Sequence, residues 1–331
     1  SNVSTLPWNL DDPITQWEGV YLISIGLEKR VTGINLTYHG LSGNISALAG
    51  LDYLQFINLR HNNFTGKIPS ALGTIPGLLS LDLSYNSFSG KLPVSLSNLT
   101  QLSNLDLSYN QLTGKINNIT GMTNLHYADL TANQFSDNIP DNIDNLTVLQ
   151  FLKLTGNQMG GTIPSAITNI SSLLVLNLAA NQFTGSIPAT IGNLVNLTEL
   201  NLSNNQISGN IPASIGNAVN LNQLYLSYNT LKGKIPESIS NLSLLWVMDM
   251  QNNNLSGHLP DDIGNMQNLA DLELSYNNLS GQLPASLTTL GNLVYLQLYH
   301  NKFSGKIPTD IGNLSNLLIL DISQNNLSGK I

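Results

Sequence analysis

The stretch Leu197-Thr198-Glu199-Leu200-Asn201-Leu202-Ser203-Asn204-Asn205-Gln206-Ile207-Ser208-Gly209-Asn210-Ile211-Pro212 decides the fold, because the chain repeats its pattern almost end to end. The aligned asparagine recurs at 62, 86, 110, 133, 157, 181, 205, 229, 253, 277, 301 and 325. His39 fills the same slot in a first copy, Val31-x-x-Ile34-x-Leu36-x-x-His39-x-Leu41. That makes 13 copies on an even period, with the steps into Asn62 and Asn133 shorter by one. A fixed period of this kind makes each copy a unit that buries its apolar side only against its neighbours, which is a solenoid. Leu-x-x-Leu-x-Leu ends in the alternation of a short strand with one buried face. Stacked copies pair those strands into a parallel sheet with a step of roughly 4.8 Å. The asparagine turns inward, where its amide satisfies backbone groups of neighbouring turns, since a buried polar column persists only when hydrogen-bonded. The following Gly permits the bend, and Ile-Pro stops any helix and sets an extended return path.

Composition narrows the function classes. Of 331 residues, 41% are hydrophobic and only 10% charged, and 12 basic against 20 acidic residues give a net charge of −8. That balance is no footprint for nucleic acid or an anionic membrane. The chain has no cysteine, so disulfides, a thiol nucleophile and Cys-ligated zinc or iron–sulfur sites are excluded. Every apolar run is far shorter than a membrane span requires. Ser1 opens a polar stretch without the charged and apolar regions of a signal peptide, so secretion implies that a signal has already been removed.

The (Ser/Thr)-Gly-x-(Ile/Leu)-Pro tail, followed by Ile-Gly-Asn-Leu as at Ile191-Gly192-Asn193-Leu194, resembles the plant-specific leucine-rich repeat class. That class forms the ectodomains of plant receptor-like kinases and receptor-like proteins, and the polygalacturonase inhibitors. The resemblance covers residues 31–331. It implies an α/β solenoid, a leucine-rich repeat superhelix with its parallel sheet on the concave face. The 13 copies are its repeats, each of about 24 residues, within the usual span of such repeats. It also implies a second short sheet laid down by the Ser/Thr-Gly-x-Ile-Pro segment. Asn117 in place of Pro and Asp137 in place of Gly depart from the pattern and predict a local irregularity there.

The ends differ from the repeats. Residues 1–30 resemble the family's N-terminal cap through Trp17-Glu18-Gly19-Val20, with Thr15 and Leu22 where that cap carries cysteines. The last copy stops at Leu327-Ser328-Gly329-Lys330-Ile331 in mid-repeat, without a polar cap. An open solenoid end exposes core and strand edge, a template for association. Two readings follow: a fragment of a longer chain, or a subunit stacked head to tail.

Fifteen Asn-x-Ser/Thr sequons occur, at Asn2, Asn35, Asn44, Asn63, Asn98, Asn118, Asn145, Asn169, Asn196, Asn201, Asn241, Asn254, Asn278, Asn313 and Asn326. Asn98, Asn145, Asn169, Asn241 and Asn313 lie twelve before the next aligned asparagine and are expected on the outer surface. Occupancy is favoured there, and Asn63, Asn118, Asn254 and Asn278 are further candidates. Asn35 and Asn201 fall on the strand face, where a glycan would obstruct binding. The pattern suits an extracellular or cell-surface glycoprotein.

Function is expected on the exposed side of the strands. Immediately before the aligned residue stand Tyr38, His61, Tyr85, Tyr109, Tyr228, Tyr276 and His300, and four before it Asp82, Asp106, Asp129, Tyr225, Asp249, Glu273 and Asp321. Trp246, Tyr295 and Tyr299 add aromatic surface in the C-terminal half. Aromatic faces beside carboxylates combine apolar stacking with oriented acceptors. The expected ligand site is Tyr225, Tyr228, Trp246, Asp249, Glu273, Tyr276, Tyr295 and Tyr299, for a peptide, polysaccharide or protein. Lys67, Lys91, Lys115, Lys234, Lys306 and Lys330 all follow the repeat Gly and predict a basic line along one edge.

Catalysis has little support. Asp82, Asp106 and Asp129 stand one strand apart, roughly 5 Å, compatible with a glycosidase pair or a Ca²⁺ row. An open face does not raise the pKa of one carboxyl as a glycosidase requires. The five histidines have no zinc-ligand spacing, and no nucleophile elbow, Walker loop or dinucleotide fingerprint is present. No cofactor is expected. An ice-binding rank two before the asparagine (Thr37, Ser84, Ser108, Thr131, Thr155, Ser203, Ser227, Ser275, Ser323) is interrupted by Arg60, Gln251 and Tyr299. The reading is a non-catalytic binding module, with a self-assembling, glycosylated fibre or surface-layer subunit as the alternative.

Overall fold

In the computed structural model, residues 11–329 are described; Asn2, Lys330 and Ile331 lie outside them. The chain divides into two compact units, Ser1–Met159 and Gly160–Ile331. In the first, an antiparallel hairpin of Val20–Ile25 and Glu28–Asn35 leads into parallel strands Phe56–Asn58, Ser80–Asp82, Asn104–Asp106, Tyr127–Asp129 and Phe151–Lys153. Gly19, before the hairpin, has φ +76°, and a Cβ there would overlap the Asn35 carbonyl oxygen. The second unit stacks Val175–Asn177, Glu199–Asn201, Gln223–Tyr225, Val247–Asp249, Asp271–Glu273, Tyr295–Gln297 and Ile319–Asp321 in the same parallel way.

The sheet implied by resemblance is present in both units. Thr230–Gly233, Asn254–Gly257 and Asn278–Gly281 are three of its strands in the second. Between the sheets the leucines at the repeat positions are buried, Leu221, Leu224 and Leu226 being one set. Each such side chain contributes about 1.5–3 kcal/mol, so the core grows by one apolar layer per copy.

The asparagine column forms as its chemistry requires. Asn253 accepts the Leu231 N–H at 3.0 Å and donates to the carbonyls of Leu226, Met250 and Gln251 at 3.0–3.2 Å. The residue before it has positive φ in every copy from Tyr38 to Gln324, with Gly156 as the one glycine. Left-handed backbone is costly for tyrosine or histidine. It is held by bonds to the next copy, as where the Asn252 and Asn253 N–H groups donate to the Ser275 and Tyr276 carbonyls at 2.9 and 3.2 Å.

Away from the first sheet, the helical segments among the described residues are all 3-10 turns, such as Ala213–Asn217 and Glu237–Asn241. The helical half of the expected α/β solenoid is therefore a layer of single tight turns. The repeat proline introduces these turns: Pro212 and Pro236 are extended at ψ 137° and 141° and stand as the residues that cap them. The Ile-Gly-Asn-Leu motif belongs to their stacking. A Cβ at Gly216 would overlap the Ser238 carbonyl oxygen of the next copy, while Ser238 Oγ donates to the Ala213 carbonyl at 2.6 Å.

The two departures from the pattern perturb little. Asp137 adopts the glycine's conformation at φ 75° and pairs with Lys115 at 2.7 Å, and its strand Gln134–Asp137 stays paired on both sides. Lacking the proline, the turn Asn117–Gly121 starts from Ile116 at ψ 8°.

Candidate functional site: the strand faces

In the second unit the register places Tyr225, Asp249, Glu273, Gln297 and Asp321 in one rank across the strands. Gln223, Val247, Asp271, Tyr295 and Ile319 form the neighbouring rank. Trp246 precedes the second rank and is exposed, and its carbonyl accepts the Asp271 N–H at 2.9 Å. Tyr225, Trp246, Asp249, Glu273 and Tyr295 thus share one patch, with Asp271, which sequence reasoning does not single out. Tyr225 donates to Gln223 Oε1 at 3.1 Å, and Gln297 donates to Glu273 Oε1.

The other expected residues sit at the rim. Tyr276 meets Tyr299 edge-on at 4.9 Å and His300 at 4.8 Å between ring centres. Tyr228 is exposed in the same column as Tyr276, with Asn252 in the copy between.

Burial raises the pKa of Asp249, and burial and then the Asp249 charge raise that of Asp271. Glu273 is pushed up to about 7 by burial first and by the Asp271 and Asp249 charges next. Tyr225 is raised by burial and by Glu199, Asp271 and Asp249, so this ring lies in the field of the carboxylates.

The first unit carries a different surface. Tyr38, His61, Tyr85 and Tyr109 stack face to face with ring centres 4.1–4.2 Å apart and planes within 13–19°. Arg60 lies 4.6 Å over the Tyr85 ring, donates to Ser84 Oγ at 3.1 Å and stands 3.7 Å from Asp106. The expected site in the C-terminal half leaves this ladder out; rings in the same column of four consecutive copies are the signal that could have found it. Asp82, Asp106 and Asp129 are adjacent in register on this face. Contrary to the expectation for an open face, Asp106 is raised, first by burial, and the charges of Asp82 and Asp129 add to it. Among the described residues no group of three His, Asp or Glu side chains is placed to hold a metal ion.

Part of the hydroxyl rank two before the asparagine is consumed internally. Ser84, Ser108, Ser203 and Ser323 donate to the Asp or Asn two residues earlier at 2.6–2.7 Å. Ser84, Ser108, Ser203, Ser227 and Ser275 are also buried. The predicted basic edge forms: Lys67, Lys91, Lys115, Lys234 and Lys306 are exposed, and the stems of Lys67, Lys91 and Lys234 lie against Gly90, Gly114 and Gly257 of the following copies.

Sequence comparison matches this architecture to leucine-rich repeat family models, as a leucine-rich repeat region over residues 105–232 and as leucine-rich repeats over 52–112, 244–266, 268–290 and 292–314. The chain is a leucine-rich repeat protein. A 58-residue segment, 17% of the chain, is 41% identical to a probably inactive leucine-rich repeat receptor-like protein kinase of Arabidopsis thaliana, of which it covers 6%. Among solved structures, the plant peptide hormone receptor RGFR1 in complex with RGF2 superposes with TM-score 0.80 at 35% identity, over 86% of this chain and 50% of that one. A TDR receptor superposes with TM-score 0.81 at 29% identity, over 91% and 56%. A plant ice-binding protein gives TM-score 0.54 at 26% identity, over 97% and 88%. This leucine-rich repeat chain therefore spans about half the length of the receptors it matches. No helix among its described residues is long and apolar enough to cross a membrane.

Proposed function

We propose that this chain is an extracellular, non-catalytic recognition module that binds a peptide or peptide-bearing partner on the strand face of its second unit. The observation that carries this reading is the patch of Tyr225, Tyr295, Asp249, Asp271 and Glu273 brought into two adjacent ranks, with Trp246 exposed just before the second. Its backbone is fixed by the ladders, so the ligand meets a surface that needs no ordering. Similarity to peptide hormone receptor ectodomains supports a peptide over a polysaccharide. Residues 1–30 act as the N-terminal cap, and 31–331 as the repeats.

N-glycans are carried on the turn side. Asn98, Asn145, Asn169, Asn241 and Asn313 each end a 3-10 turn and are exposed, as are Asn63 and Asn254 on the second sheet. Asn118 and Asn278 are half-buried, and Asn118 donates to the Leu92 carbonyl at 2.9 Å, so they accept glycans less readily. Glycopeptide mass spectrometry of chain secreted from a eukaryotic host should find the five turn sites occupied. Those five sites bare would overturn the assignment.

The test of function is selection of a random dodecapeptide library on the intact secreted chain. Binding peptides should lose at least tenfold in affinity on a Tyr225→Ser/Trp246→Ser/Tyr295→Ser variant. Peptides that bind the variant equally would remove the site from this face. Head-to-tail assembly is the second reading. Light scattering separates the readings, since monomers support recognition and filaments support assembly.

A further inference from the structure

We infer that the patch on the second unit takes a basic side chain of its ligand, held by Asp249, Asp271 and Glu273 and framed by Tyr225, Trp246 and Tyr295. This rests on the reading of that face as a peptide-binding surface.

The first argument compares the two strand faces. In the first unit the acid row has its own counterion, Arg60, 3.7 Å from Asp106. In the second unit Asp249, Asp271 and Glu273 stand in adjacent positions of two strands, and none of them has an ion-pair partner among the described residues. The basic residues of that unit within the described range are Lys232, Lys234, Lys302 and Lys306, with His258 and His300, and the lysines all belong to the second sheet or its edge. Half-buried carboxylates without a cation are costly, and a ligand that supplies one removes that cost on binding.

The second argument is an unfinished hydrogen-bond set. Ser275 is wholly buried and its Oγ has no partner. In four copies with Asp or Asn two residues earlier, the serine hydroxyl at this position donates to that side chain at 2.6–2.7 Å, so Ser275 faces the acid rank. Glu273 carries its carboxylate one methylene further from the chain and bonds Gln297 instead. Asp271 Oδ1 is likewise buried without a partner. The patch holds charge and hydrogen-bonding capacity that the chain itself leaves unused.

The chemistry selects the occupant. No group of three acids among the described residues is placed to hold a metal ion, because the carboxylates are spread over neighbouring strands instead of converging on a point. A guanidinium spans such a spacing through its fork of donors and stacks on aromatic faces, and an ammonium on a long stem does so more weakly. Tyr225 adjoins Asp249 in one rank, and Tyr295 adjoins Asp271 in the next, so the charged head lies on acids while the stem lies on rings.

The experiment uses the intact chain and the selected dodecapeptides. Selected peptides should be enriched in Arg or Lys, and replacing the recurrent Arg with citrulline, which keeps shape and removes charge, should weaken binding at least tenfold. On an Asp249→Asn/Asp271→Asn/Glu273→Gln chain the Arg and citrulline forms should bind equally. Salt titration on the unmodified chain checks this without any variant, since only the Arg form should weaken as salt rises. Peptides that lose binding on the aromatic variant but tolerate citrulline would overturn this inference and leave the strand-face reading standing. Failure to select any peptide would overturn both.

Discussion

Replacing Asn253 with Ala is expected to lower unfolding stability by about 3–4 kcal/mol, measured by urea denaturation. The side chain is buried and makes four bonds: it accepts from the Leu231 N–H and donates to the carbonyls of Leu226, Met250 and Gln251. Removal leaves a buried donor and several acceptors unsatisfied, at roughly 1–3 kcal/mol for each group that water cannot reach, and adds a small void. It also frees the left-handed turn at Asn252, φ 53°, to relax. Asn325 makes the same bonds in the last copy but is only half-buried. Asn325→Ala should therefore cost about 1 kcal/mol, within the range of a typical solvent-reachable hydrogen bond. Equal losses at the two positions would mean that the column is not the source of cohesion between copies.

Gly216→Ala should cost about 3 kcal/mol, the upper end of ordinary overpacking. The new methyl would meet the carbonyl of Ser238 and then its Cβ, and a backbone carbonyl cannot rotate away as a flexible side chain can. Relief requires the two turns to separate, which breaks the Ser238 Oγ bond to Ala213. Gly291→Ala is the control. A Cβ there meets nothing within 4 Å and the residue has no positive φ, so the change should be neutral or stabilise by up to about 1 kcal/mol through the unfolded chain. Thermal unfolding of the two variants side by side checks the contrast. A neutral Gly216→Ala would mean that the stacked turns slide freely.

The repeat makes the fold legible because an even period fixes which side chains share a column. The asparagine ladder, the buried leucines, the lysine edge and the exposed turn sequons all follow from column membership alone. What the sequence hides depends on reach between columns. Whether Asp106 has a counterion turns on Arg60 extending across neighbouring strands, and no spacing rule encodes that. The hydroxyl rank, which the sequence already shows interrupted by Arg60, Gln251 and Tyr299, is further engaged in the fold, where Ser84 and Ser108 donate to Asp82 and Asp106. The ring ladder from Tyr38 to Tyr109 is visible as a column, but its stacking is not. Stacking requires each residue to share the same left-handed backbone, which sequence alone suggests for glycine and asparagine, not tyrosine. Asp271 escapes notice because it lies in the neighbouring rank, between the apolar Val247 and the aromatic Tyr295.

The most direct test of the account is to locate a bound peptide on the chain. A selected peptide carrying a photoreactive benzophenone next to its basic residue would be cross-linked to the intact protein and the attachment points mapped by mass spectrometry. The account predicts cross-links within segments 223–228, 246–252, 271–276 and 295–300, the strand-face stretches of the second unit. Cross-links concentrated on the 3-10 turns, on the second sheet or on the tyrosine ladder of the first unit would contradict it.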